Sequence, residues 1–190
     1  MKRALSLCLT ALVLILWSAP MLSYGQSAGG VAFAPERRVD GRVLTLRGTA
    51  LLRWMLFAKA YAGAFYLAEQ ADTANALGEA PRQLVLHYFH AIPAADLAEA
   101  TDAMIRKNAA PDQYQRLKPK IEQINALYRD VAPGDRYSAT YIPGTGTTLA
   151  LNGKPLGTVP GKAFATAYFA IWIGDKPIDK KFRDNLLGAS

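Results

Sequence analysis

The chain of 190 residues is 51 % hydrophobic and 19 % charged, with a formal net charge of +7. That supplies apolar material for one ordinary core and excludes a disordered chain. The basic residues are scattered, with no basic stripe carrying interleaved aromatics, so no nucleic-acid partner is expected.

Lys2 and Arg3 precede an apolar run from Ala4 to Ala19, which Pro20 breaks and small and polar residues follow. A basic start, an apolar middle and then Ser23-Tyr24-Gly25 is the order of a secretory signal peptide. Residues 1–25 are therefore expected to be a signal peptide cleaved near Gly25 or Ala28, and residues 26–190 a single exported domain, periplasmic or otherwise outside the cytoplasm. The alternative is a retained anchor, but the apolar run falls just short of a span. The mature chain is expected to have no transmembrane span. Its only cysteine, Cys8, lies in the signal, so no disulfide, thiol nucleophile or thiolate metal site is expected after cleavage.

In chain order, Asp40-Gly41 between two short apolar stretches predicts a hairpin. Glu69 to Pro81 reads as a polar loop or short helix. Arg82 to Ile92, "RQLVLHYFHAI", reads as a strand bounded by prolines. Asp96 to Lys107 has acids early and bases late, as a helix dipole favours. A second helix is expected from about Asp112 to Arg129, bent or interrupted at Pro119. From Asp135 three short strands are separated by Pro143-Gly144 and Asn152-Gly153. Lys162 to Ile173 reads as a buried helix, and Asp179 to Leu187 as a closing amphipathic one that ends at Gly188. Strands, helices, an antiparallel meander and helices again define an α+β chain.

The run from Leu51 to Ala68, "LLRWMLFAKAYAGAFYLA", raises the main functional question, because Arg53 and Lys59 stand in an otherwise apolar stretch. As a helix the two cations would fall on different faces; as a membrane span both would be buried at a cost. At period two, one face is Leu52, Trp54, Leu56 and then alanines, suited to packing under a helix. The other is Arg53, Met55, Phe57, Lys59, Tyr61, Gly63, Phe65 and Leu67. That second face suits a ligand with an apolar body and an anionic or carbonyl end. It equally suits a half-solvated strand whose cations reach for water. His87 and His90 are three apart on one strand and have no third ligand at metal spacing, so no metal site is expected. No Gly-x-Ser-x-Gly or phosphate loop occurs. Tyr114, Tyr128, Tyr137 and Tyr141 read as donors in a cleft or as residues at the edge of the core.

"LTLRGTALLRWMLFAKAYAGAFYL" resembles the chalcone isomerase family, with its Leu-x-Leu-x-Gly strand, a following Arg and Lys, and a closing Tyr-Leu. "GDRYSATYIPGTGTTLALNGKPLG", "KAFATAYFAIWIGDKP" and "FRDNLLG" are similar to the bacterial chalcone isomerase-like group, so the resemblance runs from about Phe33 to Gly188. It implies an open-faced β-sandwich, a large antiparallel sheet with a helical layer on one face and a ligand cleft between. By the same resemblance the isomerase's Arg falls on Arg53 and its Thr on Tyr61. Its Tyr and Asn fall near Leu97 and Met104, where no polar work is possible, and its last Ser or Thr falls around Asp179 or Lys180. Non-enzymatic relatives hold a fatty-acid carboxylate with an Arg and a Tyr, a pair that Arg53 and Tyr61 resemble. That pairing requires a bulge, bend or turn near Trp54 to Leu56, because one straight strand would hold the two apart; Arg47 competes for the anion.

The expectation is an exported, non-catalytic, chalcone isomerase-like protein that binds a small amphipathic ligand such as a fatty acid, with no cofactor. Arg53, Lys59 and Tyr61 are expected at the head, with Met55, Phe57 and Phe65 along the apolar part. The alternatives are an isomerase or lyase acting on an enone or phenolic ketone, and a structural or partner-binding envelope protein with a vestigial cleft.

Overall fold

The computed structural model describes residues 25–54 and 58–189. Its strands are β1 (Ser27–Ala28), β2 (Val31–Ala32), β3 (Glu36–Val39), β4 (Arg42–Trp54), β5 (Ala58–Ala68), β6 (Arg82–Tyr88), β7 (Arg136–Ile142), β8 (Gly146–Leu151) and β9 (Lys154–Val159). Its helices are α1 (Ala94–Asn108), α2 (Pro111–Asn125), α3 (Lys162–Ile173) and α4 (Lys180–Leu186). Strands β3 to β9 form one antiparallel sheet in chain order, and β1 and β2 a separate small hairpin. With α1 and α2 inserted between the paired strands β6 and β7, and α3 and α4 appended, the architecture is the expected α+β open-faced sandwich.

Local chemistry explains the turns. Asp40 and Gly41 both have positive φ, as do Asn152 and Gly153, and these pairs close the tight hairpins β3–β4 and β8–β9. Helix α1 carries Asp96 in its first turn and Arg106 and Lys107 in its last, and its first N–H is capped from outside by Asp130 at 2.8 Å. Helix α2 begins with Pro111 at its first turn and includes Pro119 within a single helical segment. It ends at Asn125 rather than Arg129. Residues 127–129 instead leave the helix, with Tyr137 Oη gripping both backbone groups of Arg129. The strand from Arg82 ends at Tyr88, beyond which Ile92 makes an isolated bridge to Val131.

The largest departure from expectation is the run 51–68, which is a pair of strands rather than one. β4 ends at Trp54, β5 begins at Ala58, and the two are antiparallel partners, with Arg53 opposite Lys59 and Leu52 opposite Tyr61. Ala60 is the extra residue at that register shift. A bulge of one residue breaks the period of two, so Lys59 and Tyr61 do not share a face. The expected faces are also exchanged. Ala62 and Ala64 lie with Tyr66 on the outer side, under Phe33 and the β1–β2 hairpin. Tyr61, Phe65 and Leu67 point inward beneath the helices.

Gly63 makes that inward packing possible, since a Cβ there would run into the Phe182 ring and the Leu186 side chain of α4. Helix α3 is buried nearly all round, as its uniformly apolar "KAFATAYFAIWI" dictates, and forms the centre of the inner layer. One cation is enclosed with it. Arg82, fully buried, lies between the rings of Tyr141 and Phe169 at 4.3 and 4.8 Å and donates through Nη1 to Gly78 and Ala80 carbonyls. Arg47 is likewise committed, its Nη2 reaching the carbonyls of Ala68, Glu69 and Ala71. No helix of the described residues is long and apolar enough to cross a membrane.

Candidate functional site

Between the inner face of the sheet and helices α1 and α3 lies a cavity of about 90 Å³. The sheet supplies Tyr61 from β5, Leu84, Leu86 and Tyr88 from β6, and Tyr137 and Ala139 from β7; the helical side supplies Leu97, Ala100, Thr101 and Met104 from α1, and Tyr168, Ile171 and Trp172 from α3. Tyr128, just beyond α2, and Ile178, just before α4, complete it. Ala100 and Ile178 are solvent-exposed and mark its mouth; Ile178 is the one large hydrophobic residue exposed among those described.

The walls are apolar, and the polar atoms are hydroxyls held in order. Thr101 Oγ1 lies 2.9 Å from Tyr128 Oη, which lies 2.8 Å from Tyr168 Oη. Trp172 Nε1 donates to Tyr61 Oη at 3.1 Å. The rings brace one another edge to face: Tyr88 against Tyr137, Tyr137 against Tyr128, and Tyr168 against Trp172.

Burial pushes the Tyr61 phenol well above its ordinary value; the Trp172 hydrogen bond works against that shift and the Asp179 carboxylate adds to it. Burial likewise raises Tyr88, Tyr128 and Tyr168. At neutral pH these phenols are therefore protonated. Among the described residues no cluster of His, Cys, Asp and Glu could hold a metal ion.

The structure places the expected site residues in two groups. Tyr61 lines the cavity, and Phe65 is fully buried in the same inner core without reaching the cavity wall. Arg53 and Lys59 are exposed and paired with each other across β4 and β5. Lys59 Nζ donates to the Gly29 carbonyl at 2.9 Å and sits 5.3 Å from the Phe89 ring, which puts it on the outer side of the sheet. Cross-strand partners share a face, so Arg53 is on that side too. Met55 and Phe57 lie outside the described residues. The chain reversal needed to bring Arg53 near Tyr61 is present, but the bulge at Ala60 assigns them to opposite faces.

The cavity also gathers residues the sequence did not single out for it. Tyr88, Tyr168, Trp172 and Thr101 come from three separate elements, and Tyr128 and Tyr137 join them while Tyr114 and Tyr141 lie elsewhere. Leu97 and Met104, which the family resemblance placed at polar cleft positions, both line the cavity as apolar wall.

An antiparallel sheet roofed by helices, with a tyrosine-rich apolar cavity between the layers, defines a ligand-cleft sandwich. The Chalcone isomerase-like family pattern matches residues 25–188, and the chain belongs to that family. Among curated proteins no significant match is found. The crystal structure of a fatty-acid binding protein of Arabidopsis thaliana is similar in fold, with a TM-score of 0.64 and 15 % sequence identity, covering 84 % of this chain and 93 % of that one.

Proposed function

We propose that this chain is an exported, non-catalytic binding protein for a small amphipathic ligand such as a fatty acid, held in the cavity between the sheet and α1 and α3. The single observation that carries the reading is the cavity itself, apolar in its walls and furnished with fixed hydroxyl donors. The phenols held protonated by burial support binding without turnover. The Arabidopsis protein of similar fold is a fatty-acid binder by its description, which agrees with a lipid-like ligand here. The present cavity is smaller than the ~300 Å³ usual for ligand pockets, so a long chain enters by displacing the Ile178 and Ala100 mouth.

Export follows from the signal-like segment, and we place cleavage before Gln26. Gln26 accepts a hydrogen bond from Phe33 N at 3.0 Å, and Ala28 pairs with Val31, so a cut at Ala28 would dismantle the hairpin that covers the outer face. Native mass spectrometry of the protein purified from its own host tests both points. A mature mass beginning at Gln26 with a bound small molecule, lost in an Ala139→Leu variant that fills the cavity, is the expected result. An empty protein that also fails to bind any added alkyl ligand would sink the binding reading.

A further inference from the structure

The head group that this cavity accepts can be read from its protons. In the chain Thr101, Tyr128 and Tyr168, three hydroxyls share two hydrogen bonds, which leaves one hydroxyl proton uncommitted. Tyr61 accepts from Trp172, and its own proton meets no protein acceptor among the described residues. The Tyr88 phenol also stands on the cavity wall. Only Tyr137 is fully engaged, with Arg129 N donating to it at 2.7 Å and Arg129 O accepting from it at 3.0 Å. The cavity therefore offers two free O–H donors.

It offers no counter-charge. Among the described residues lining it none is Lys, Arg, His, Asp or Glu. The nearby cations are directed elsewhere: Arg53 and Lys59 belong to the outer side of the sheet, Arg82 is sealed between two rings away from the cavity wall, and Lys107 and Lys176, near the mouth, donate to the carbonyls of Pro177 and Lys107. The Asp179 carboxylate, next to Ile178 at the mouth, acts on Tyr61 with a sign that repels an anion. A carboxylate moved from water into such a site loses its hydration and gains no ion pair. A carbonyl or hydroxyl loses far less and still accepts from the free donors.

We propose that this cavity selects an uncharged, hydrogen-bond-accepting head, a ketone, aldehyde or alcohol on an apolar body, over a carboxylate. The proposal rests on the binding reading above and refines it: a fatty acid would be taken in its protonated form. It is tested by calorimetric titration of the mature protein at neutral pH with octan-2-one, octanol and octanoate. The ketone and alcohol are expected to bind at least about tenfold more tightly than octanoate, given the uncompensated charge. Tyr61→Phe is expected to weaken the neutral ligands by about threefold to tenfold, the worth of one hydrogen bond. Ala100→Trp, at an exposed position on the mouth, is expected to abolish binding without loss of fold. Octanoate binding as tightly as the ketone, or more tightly, would overturn the head-group assignment while leaving the binding reading intact. Binding that survives Ala100→Trp and Tyr61→Phe unchanged would overturn the site. Binding by none of the three would remove the binding reading itself.

Discussion

The two faces of the strand pair β4–β5 are built on opposite principles. Inside, Tyr61, Phe65 and Leu67 lie under the helices, and Tyr61 Oη accepts from Trp172 Nε1. Outside, Ala62 and Ala64 are covered only by Phe33 and a hairpin of two-residue strands, and the cations Arg53 and Lys59 reach the surface near its edge. The difference teaches that the charged residues of this segment serve the thin side of the sheet, and that the cavity proposed to bind a ligand lies on the thick side, furnished with neutral hydroxyls. A cation near a cleft in sequence is not a cation in the cleft when one bulged residue stands between.

The sharpest way to break the contrast is alkali. The buried phenols Tyr61, Tyr88, Tyr128 and Tyr168 have folded pKa values raised above the unfolded 10.0, so their stabilisation is complete below pH 10.0 and is lost as pH rises through that value. Each costs up to about 1.4 kcal/mol per pH unit. Burial shifts Arg82 in the opposite direction, down to about 10, but it is one group against four. Circular dichroism is expected to show cooperative unfolding above pH 10.0, with tyrosinate absorbance rising in the same transition. Absorbance that rises first, with the fold intact, would mean the phenols are open to water.

Next in size is Gly48→Ala. A Cβ there collides with the backbone carbonyls of Asn185 and Leu186, so α4 must leave the sheet. A loss of about 3 kcal/mol is expected in urea denaturation, and a value below ~1 would show that α4 is not clamped there. Tyr128→Phe, which cuts the hydroxyl chain between Thr101 and Tyr168, is expected to cost about 1 to 2 kcal/mol by the same measurement. Lys59→Ala is expected to cost less than about 0.5 kcal/mol and to leave octan-2-one affinity unchanged, because its bond to Gly29 is exposed. A large effect on affinity there would place the outer cations back in the site.

What the sequence disclosed and what it hid follow from how local each cause is. Asp40-Gly41 and Asn152-Gly153 act within four residues, so both hairpins were legible. The charge order of α1 and the uniform apolarity of α3 were legible for the same reason. The chain reversal after Trp54 was not, because residues 55–57, "MLF", contain none of the Gly, Pro, Asn or Asp that mark turns. The bulge at Ala60 was hidden too: it is a property of the pairing with β4, and alanine carries no sign of it. Tyr61 was found because its strand is distinctive. Tyr88, Tyr128, Tyr137 and Tyr168 converge from four stretches of chain, and only the packing of α1 and α3 on the sheet brings their hydroxyls to one place.

Arg82 has a use beyond holding its neighbours. Its Nε and Nη2 protons are buried without hydrogen-bond partners among the described residues, while its plane is held between Tyr141 and Phe169. Guanidinium protons in water exchange too fast to give sharp signals at neutral pH, whereas these are shielded on both faces by aromatic ring currents. The Arg82 Nε resonance is therefore a built-in spectroscopic tag for the seating of α3 on the sheet, readable in the intact protein while alkyl ligands are titrated against the cavity at the other side of the same helix.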